Sequence, residues 1–225
     1  MSVLGELQPN KVFKYFEEIC SIPHGSRNLQ QISDYLVDFA KAHELKYRQD
    51  EDLNVIIWKD GSKGYEASEP VILQGHMDMV AVKEADCDKD MEKEGLDLEI
   101  NGDYISAKGT SLGGDDGIAV AYTLAVLDDE EMAHPPIEAI FTVNEEIGML
   151  GAATIDVSDL KGRLFMNMDS EDEGVFTVSC AGGASVICKI PYETETVNAS
   201  VIEIKMTRFA GGHSGVEIIK GRLNA

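Results

Sequence analysis

Along the first 45 residues, apolar positions recur at helical intervals. Pro9 is followed by Val12, Phe13, Phe16, Ile19 and Cys20, which predicts an amphipathic helix with proline at its tolerated first turn. Ile32, Tyr35, Leu36, Phe39 and Ala40 repeat the spacing, and Asn28 stands where a cap for a second helix belongs. Further on the period shortens. The runs NVIIW (54–58), VILQ (71–74), IEAIFTV (137–143), RLFMNM (163–168) and VFTVS (175–179) read as strands. Between two of them, roughly residues 116–128 fit a helix with Ile118, Ala121, Tyr122, Ala125 and Val126 on one face. Strands alternating with helices predict an α/β domain, a mostly parallel sheet flanked by helices. Functional groups of such sheets gather beyond the carboxyl ends of the strands.

Near residue 184 the composition changes. ASVICKIPYE and SVIEIKM read as two further strands, and GGHSGVEIIKGRLNA as a turn entering a helix. Two strands and an unfinished helix make a poor independent core. The expected organisation is therefore most of one domain over 1–183, then the start of a second, α+β unit over 184–225, in a chain that reads as truncated. Residues 83–103 form an acidic stretch in which Asp86, Asp88 and Asp90 imitate a calcium loop. Met91 and Asp97 occupy the positions where that loop needs glycine and a bidentate glutamate, so a solvated, mobile surface loop is expected instead.

Composition narrows the classes. Of 225 residues, 44% are hydrophobic, enough for a sizeable core, and the net charge is −22. Such a surface repels nucleic acid and anionic membranes, so neither is an expected partner. Residues 1–20 contain no apolar core of signal-peptide length, and no stretch approaches a membrane span. The four cysteines show no CxxC spacing, which fits a reduced, cytoplasmic protein in which none is catalytic.

The chemistry sits where apolar runs end. VILQGHMDMV delivers His76 and Asp78, which an extended segment points to one side. GTSLGGDDG places Asp115 and Asp116 before a helix, TVNEEIG places Glu145 and Glu146 after seven mainly apolar residues, and MNMDSEDEG places Asp169 after another such run. Each has an ordinary reading: a solvated strand end, a helix cap, a turn residue. Four such ends on one sheet make a site for divalent cations, with His76, Asp115, Glu146 and Asp169 as ligands. Two ions need about five protein ligands, and no fifth can be placed. Asp78 can then orient the imidazole, and the glutamate not spent on metal can act as general base. A metal-activated water with a carboxylate base is the equipment of amide hydrolysis.

The blocks LQGHMDMV, GTSLGGDDGIAVA, TVNEEIGMLGA, MNMDSEDEG, SCAGG and GGHSGVEIIKGRLNA, in this order, resemble the M20 family of metallopeptidases, in its Xaa-His (cytosol non-specific) dipeptidase branch. The resemblance implies a two-zinc hydrolase of dipeptides, with manganese or cobalt as alternatives. It also implies a lid domain inserted into the catalytic domain, through which subunits form homodimers. Carried over, Asp115 bridges the ions, His76 and Asp169 bind opposite ions, Asp78 orients His76, and Glu145 is the general base. His213 in GGHSG is the lid histidine that holds substrate and oxyanion. The family's late fifth ligand has no counterpart here, since His24, His43 and His134 lie in unlike contexts, and this chain has Asp116 where the branch commonly has Asn. By the same resemblance the chain is the N-terminal portion of such an enzyme, with little activity alone. Other readings are a related aminoacylase, deacylase or tripeptide aminopeptidase, and a non-catalytic metal-binding domain.

Overall fold

The computed structural model describes residues 2–170, 174–180, 186–196, 198, 200–207, 209–210 and 218–221. The chain divides into two units, Met1–Thr177 and Val178–Ala225. The first carries helices α1 (Asn10–Cys20), α2 (Gln30–Ala42), α3 (Gly114–Leu127) and α4 (Leu150–Thr154). Its strands are β1 (Lys46–Gln49), β2 (Val55–Lys59), β3 (Val71–His76), β4 (Leu98–Asn101), β5 (Tyr104–Ala107), β6 (Ile137–Thr142) and β7 (Leu164–Asn167).

The expected α/β architecture is present: one five-stranded sheet in the order β1-β2-β6-β3-β7, flanked by helices. β6, β3 and β7 run parallel, while β2 and β1 complete one edge antiparallel, so the sheet is mixed. Strand β6 is buried along its whole length, as a central strand covered on both faces must be. Alternation along β2 divides the core. Val55 and Ile57 face the helices and join Phe16, Ile32, Leu124 and Phe141, whereas Ile56 packs with Ile72 and Ile140 beneath Trp58, Ile155 and Leu160. Burying a side chain such as Phe141 contributes about 1.5–3 kcal/mol, so both layers hold the strand ends in place.

Several sequence expectations change. Asn28 does not cap α2; Leu29 holds that position, and the Asn28 amide donates to the Glu92 carbonyl, tethering the acidic segment. On α3 the expected face holds except at Tyr122, which is exposed; Ala121 and Ala125 are buried, Ile118 and Val126 pack against the core, and Val120, Thr123, Leu124 and Leu127 are buried besides. That helix lies between α1 and the sheet and is apolar over most of its surface, so its burial extends beyond a single face. The acidic segment is not one solvated loop, because Leu98–Ala107 forms the β4–β5 hairpin around a two-residue turn. Asp90 pairs with Lys93 at 2.8 Å, and no calcium-type cluster forms there among the described residues.

Residues 175–179 form no strand; they pair with no other described segment, and without a ladder their backbone groups gain nothing from extension. The same holds for the described residues of 184–193 and 200–206. Of the expected terminal helix, Ile218–Lys220 is a 3-10 turn, and 211–217 and 222–225 lie outside the described residues. Among the described residues no helix is long and apolar enough to cross a membrane.

Candidate metal centre

At the carboxyl end of the parallel strands the sheet is fastened crosswise. The Gln74 side chain on β3 donates to Thr142 Oγ1 on β6 at 3.2 Å and accepts from Asn167 Nδ2 on β7 at 2.6 Å. This polar rung ties the three strands together where β6 and β7 end. Gly75 follows, and the place of its absent Cβ is taken by neighbours: a methyl there would meet Asp116 Oδ2 at 2.8 Å and the Ala119 Cβ at 3.1 Å. The N-terminal end of α3 therefore lies directly on β3. His76, the last residue of β3, donates its backbone N–H to Asp116 Oδ2 at 3.1 Å.

His76 is 1% exposed, whereas the side chains of Asp115, Glu145 and Asp169 are 44%, 31% and 34% exposed, so the imidazole forms the floor and the carboxylates the solvent-facing wall. Nδ1–H of His76 donates to the backbone carbonyl of Asp78 at 3.0 Å. That bond directs Nε2 into the cavity, 3.0 Å from Asp115 Oδ1 and 3.9 Å from both Glu145 Oε2 and Asp169 Oδ2. Two donor sets result, each with ligand atoms within 4.8 Å of one another: His76, Asp115 and Glu146, and His76, Glu145 and Asp169. Both use the imidazole, and its single inward nitrogen serves one ion at a time. His76 and Asp169 fall together in the second set.

The electrostatics follow from crowding acids around one base. Burial alone would lower the His76 pKa, yet hydrogen bonds to Asp115 and Asp78 and the charge of Asp116 raise it to about 11. Asp116 is pushed up to about 8, chiefly by burial, with Asp169 and Asp115 adding to the effect against His76. Burial also raises Glu145 and Glu146; the neighbouring carboxylates add to this, and His76 opposes it. Asp78 behaves differently. Burial works against its charge, but His76, the Glu145 N–H and Ser26 hold its pKa below the ordinary value. A cluster of hard oxygen donors around one imidazole, held together by a proton on that ring, has the donor chemistry of a divalent-cation site.

The structure brings His76, Asp78, Asp115, Glu145, Glu146 and Asp169 together. His213 lies outside the described residues. Asp115 does not come from a strand end of the central sheet: it sits in the first turn of α3, whose N-cap is Gly113, so neither aspartate caps the helix. His24, His43 and His134 belong to neither donor set among the described residues. Sequence reasoning missed three supports: Gln74, Ser26, whose hydroxyl donates to Asp78, and Asn144, whose side-chain oxygen accepts the Arg27 N–H. Gln74, a polar residue ending an apolar run, carried a signal; Ser26 and Asn144 carried none.

No family model matches the chain. It is 39% identical over its whole length to the cytosol non-specific dipeptidase of Escherichia coli and spans 47% of that protein. The crystal structure of the Vibrio alginolyticus aminoacylhistidine dipeptidase is 40% identical and superposes with a TM-score of 0.74, covering 76% of this chain and 35% of that one. A tripeptidase of Staphylococcus aureus, 23% identical, shares the fold at a TM-score of 0.61 over 75% of this chain and 45% of that one. Sequence and fold together bear out the resemblance to the dipeptidase branch of the M20 metallopeptidases, and the chain spans about half the length of the E. coli relative.

Proposed function

We propose that the protein hydrolyses dipeptides, Xaa-His among a broad range, at a divalent-metal centre that in the full reading holds two zinc ions. The observation that carries the metal centre is the pair of donor sets meeting at His76 Nε2, which seats one ion at a time; the second zinc rests on the resemblance to the dipeptidases. His76, Asp115, Glu146 and Asp169 are the residues that would hold metal. Bound there, the metal supplies Lewis acidity that polarises the scissile carbonyl and makes water a better nucleophile.

Glu145 is the general base. Its carboxylate stands at the rim of the cluster, partly open to solvent, and its raised pKa brings it nearer the range in which proton transfer at neutral pH is efficient. Asp78 sets the orientation of the floor: its backbone carbonyl fixes the His76 tautomer, and its carboxylate lies 3.6 Å from Nδ1. His213 would hold the substrate and its developing oxyanion, and residues 184–225 would contribute a lid through which two copies associate. The names of the E. coli and Vibrio relatives support dipeptides as substrates, and the former a cytosolic setting.

A panel of dipeptides, tripeptides and N-acyl amino acids offered to the purified chain in Zn2+, Mn2+ or Co2+ tests the reading. Slow dipeptide turnover, in keeping with the little activity expected of this chain alone, that Glu145→Gln abolishes while metal stays bound is the expected result. Turnover confined to tripeptides or N-acyl amino acids would move the protein to the aminopeptidase or deacylase readings. Metal binding with no turnover of any substrate would leave this chain a non-catalytic metal-binding domain.

A further inference from the structure

The segment PHGSRN (23–28) joins α1 to α2, and its residues take no part in the proposed chemistry. It is nonetheless built onto the centre. Gly25 forms a parallel bridge with Met79, just beyond β3: Met79 N–H donates to the His24 carbonyl and Ser26 N–H to the Met79 carbonyl, both at 3.2 Å. The approach needs glycine, because a Cβ at position 25 would lie 2.6 Å from the Ala81 Cβ. The seating brings Ser26 Oγ–H to Asp78 Oδ2 at 2.8 Å and Arg27 N–H to Asn144 Oδ1 at 2.8 Å.

Asp78 is 1% exposed, and its carboxylate has a second task besides facing the imidazole. Oδ1 accepts the Glu145 N–H at 3.0 Å, and Oδ2 accepts the more distant Glu146 N–H at 3.4 Å. The His76 tautomer is meanwhile fixed by the Asp78 carbonyl, at shorter range than the carboxylate. The carboxylate thus ties the exit of β3 to the glutamate pair after β6, and Ser26 holds the oxygen that reaches toward Glu146.

We infer that Ser26 is a positioning residue of the metal centre: through Asp78 it sets where the Glu145–Glu146 backbone, and hence the Glu146 carboxylate, stands relative to His76. The inference rests on the metal-centre reading proposed above. Partners one step removed from a ligand commonly change metal affinity by about 10–100-fold, and Ser26, a further step out, is expected at the low end, about tenfold.

Co2+ titration of the full 225-residue chain, followed by the visible absorption of the bound ion, reads affinity and ligand geometry without any turnover. Ser26→Ala is expected to weaken Co2+ about tenfold and alter the band shape, while Ser26→Thr, which keeps the hydroxyl, stays within about twofold of the unsubstituted chain. In a Glu146→Gln background, Ser26→Ala should cost little more, since the group it positions is already gone. Should Ser26→Ala not fold, Ser26→Cys, similar in size with a weak donor, replaces it. Unchanged affinity and spectrum in the variant lacking the hydroxyl would overturn the inference and leave the metal centre standing. An undiminished effect in the Glu146→Gln background would overturn it too. Absence of Co2+ binding by the unsubstituted chain would remove both.

Discussion

Acids stand at both ends of the central sheet, and the two ends treat them differently. Near the start of β6, Glu138 is 3% exposed and accepts the backbone N–H groups of Lys161 and Gly162 at 2.9–3.0 Å. A buried carboxylate with donors of its own fastens a loop. At the other end of the same strand, Glu145 and Glu146 face Asp115, Asp169 and Asp116 across the imidazole of His76, and their pKa values rise. Carboxylates set against one another store electrostatic cost that a cation relieves. An acid that holds structure is here sealed in with donors of its own, and one that awaits a ligand stands half open among other carboxylates.

The largest expected effect comes from supplying the cation. Zn2+ or Mn2+ at about 100 times its dissociation constant should stabilise the chain by about 2.7 kcal/mol, read as a raised midpoint in calorimetry. His76→Ala should abolish that response, because it removes the one residue common to both donor sets. Breaking the opposite end gives the converse. Glu138→Ala leaves two N–H groups without their acceptor and is expected to cost about 2 kcal/mol in urea unfolding, with metal affinity unchanged. A loss of metal affinity there would show that the two ends are coupled.

Gln74→Met probes what joins the sheet to the centre. It keeps the volume and removes the rung to Thr142 and Asn167, for an expected cost of about 1 kcal/mol together with weaker metal binding. The smallest effect should come from Glu17, which accepts Ser2 Oγ–H at 2.6 Å and the N–H groups of Val3 and Leu4 at 2.6 and 3.1 Å. Burial works against its charge, yet these donors hold its pKa below the ordinary 4.5. Its contribution is therefore full above pH 4.5 and is lost as the pH falls through the lower folded value, so Glu17→Gln should flatten the acid limb of a stability–pH curve.

Much of the first unit was legible in the sequence because its burial is periodic. Val12, Phe16 and Ile19 on α1, and the apolar runs of β2, β3 and β6, announce themselves by spacing. The site residues were legible because, in sheets with parallel strands, functional groups gather beyond the carboxyl ends of the strands. Asn28, spent on Glu92 rather than on its helix, was not legible, since a polar side chain chooses among partners that only the fold brings near. Nor was the extent of burial around α3, which is covered by α1 on one side and the sheet on the other, so that Val120, Thr123, Leu124 and Leu127 are buried as well. The strands read at 175–179 and beyond show the opposite failure: apolar alternation is necessary for a strand, and a pairing partner makes it one.

Gly75 has a consequence for anyone copying this site into another scaffold. The ligand list contains His76 and Asp115 but not the residue before the histidine, although the space of its missing side chain is what Asp116 and Ala119 occupy. A transplant that reproduced every donor and left alanine at that position would hold the helix off the strand and separate its two halves. The smallest portable unit of this centre is therefore its ligands together with a vacancy.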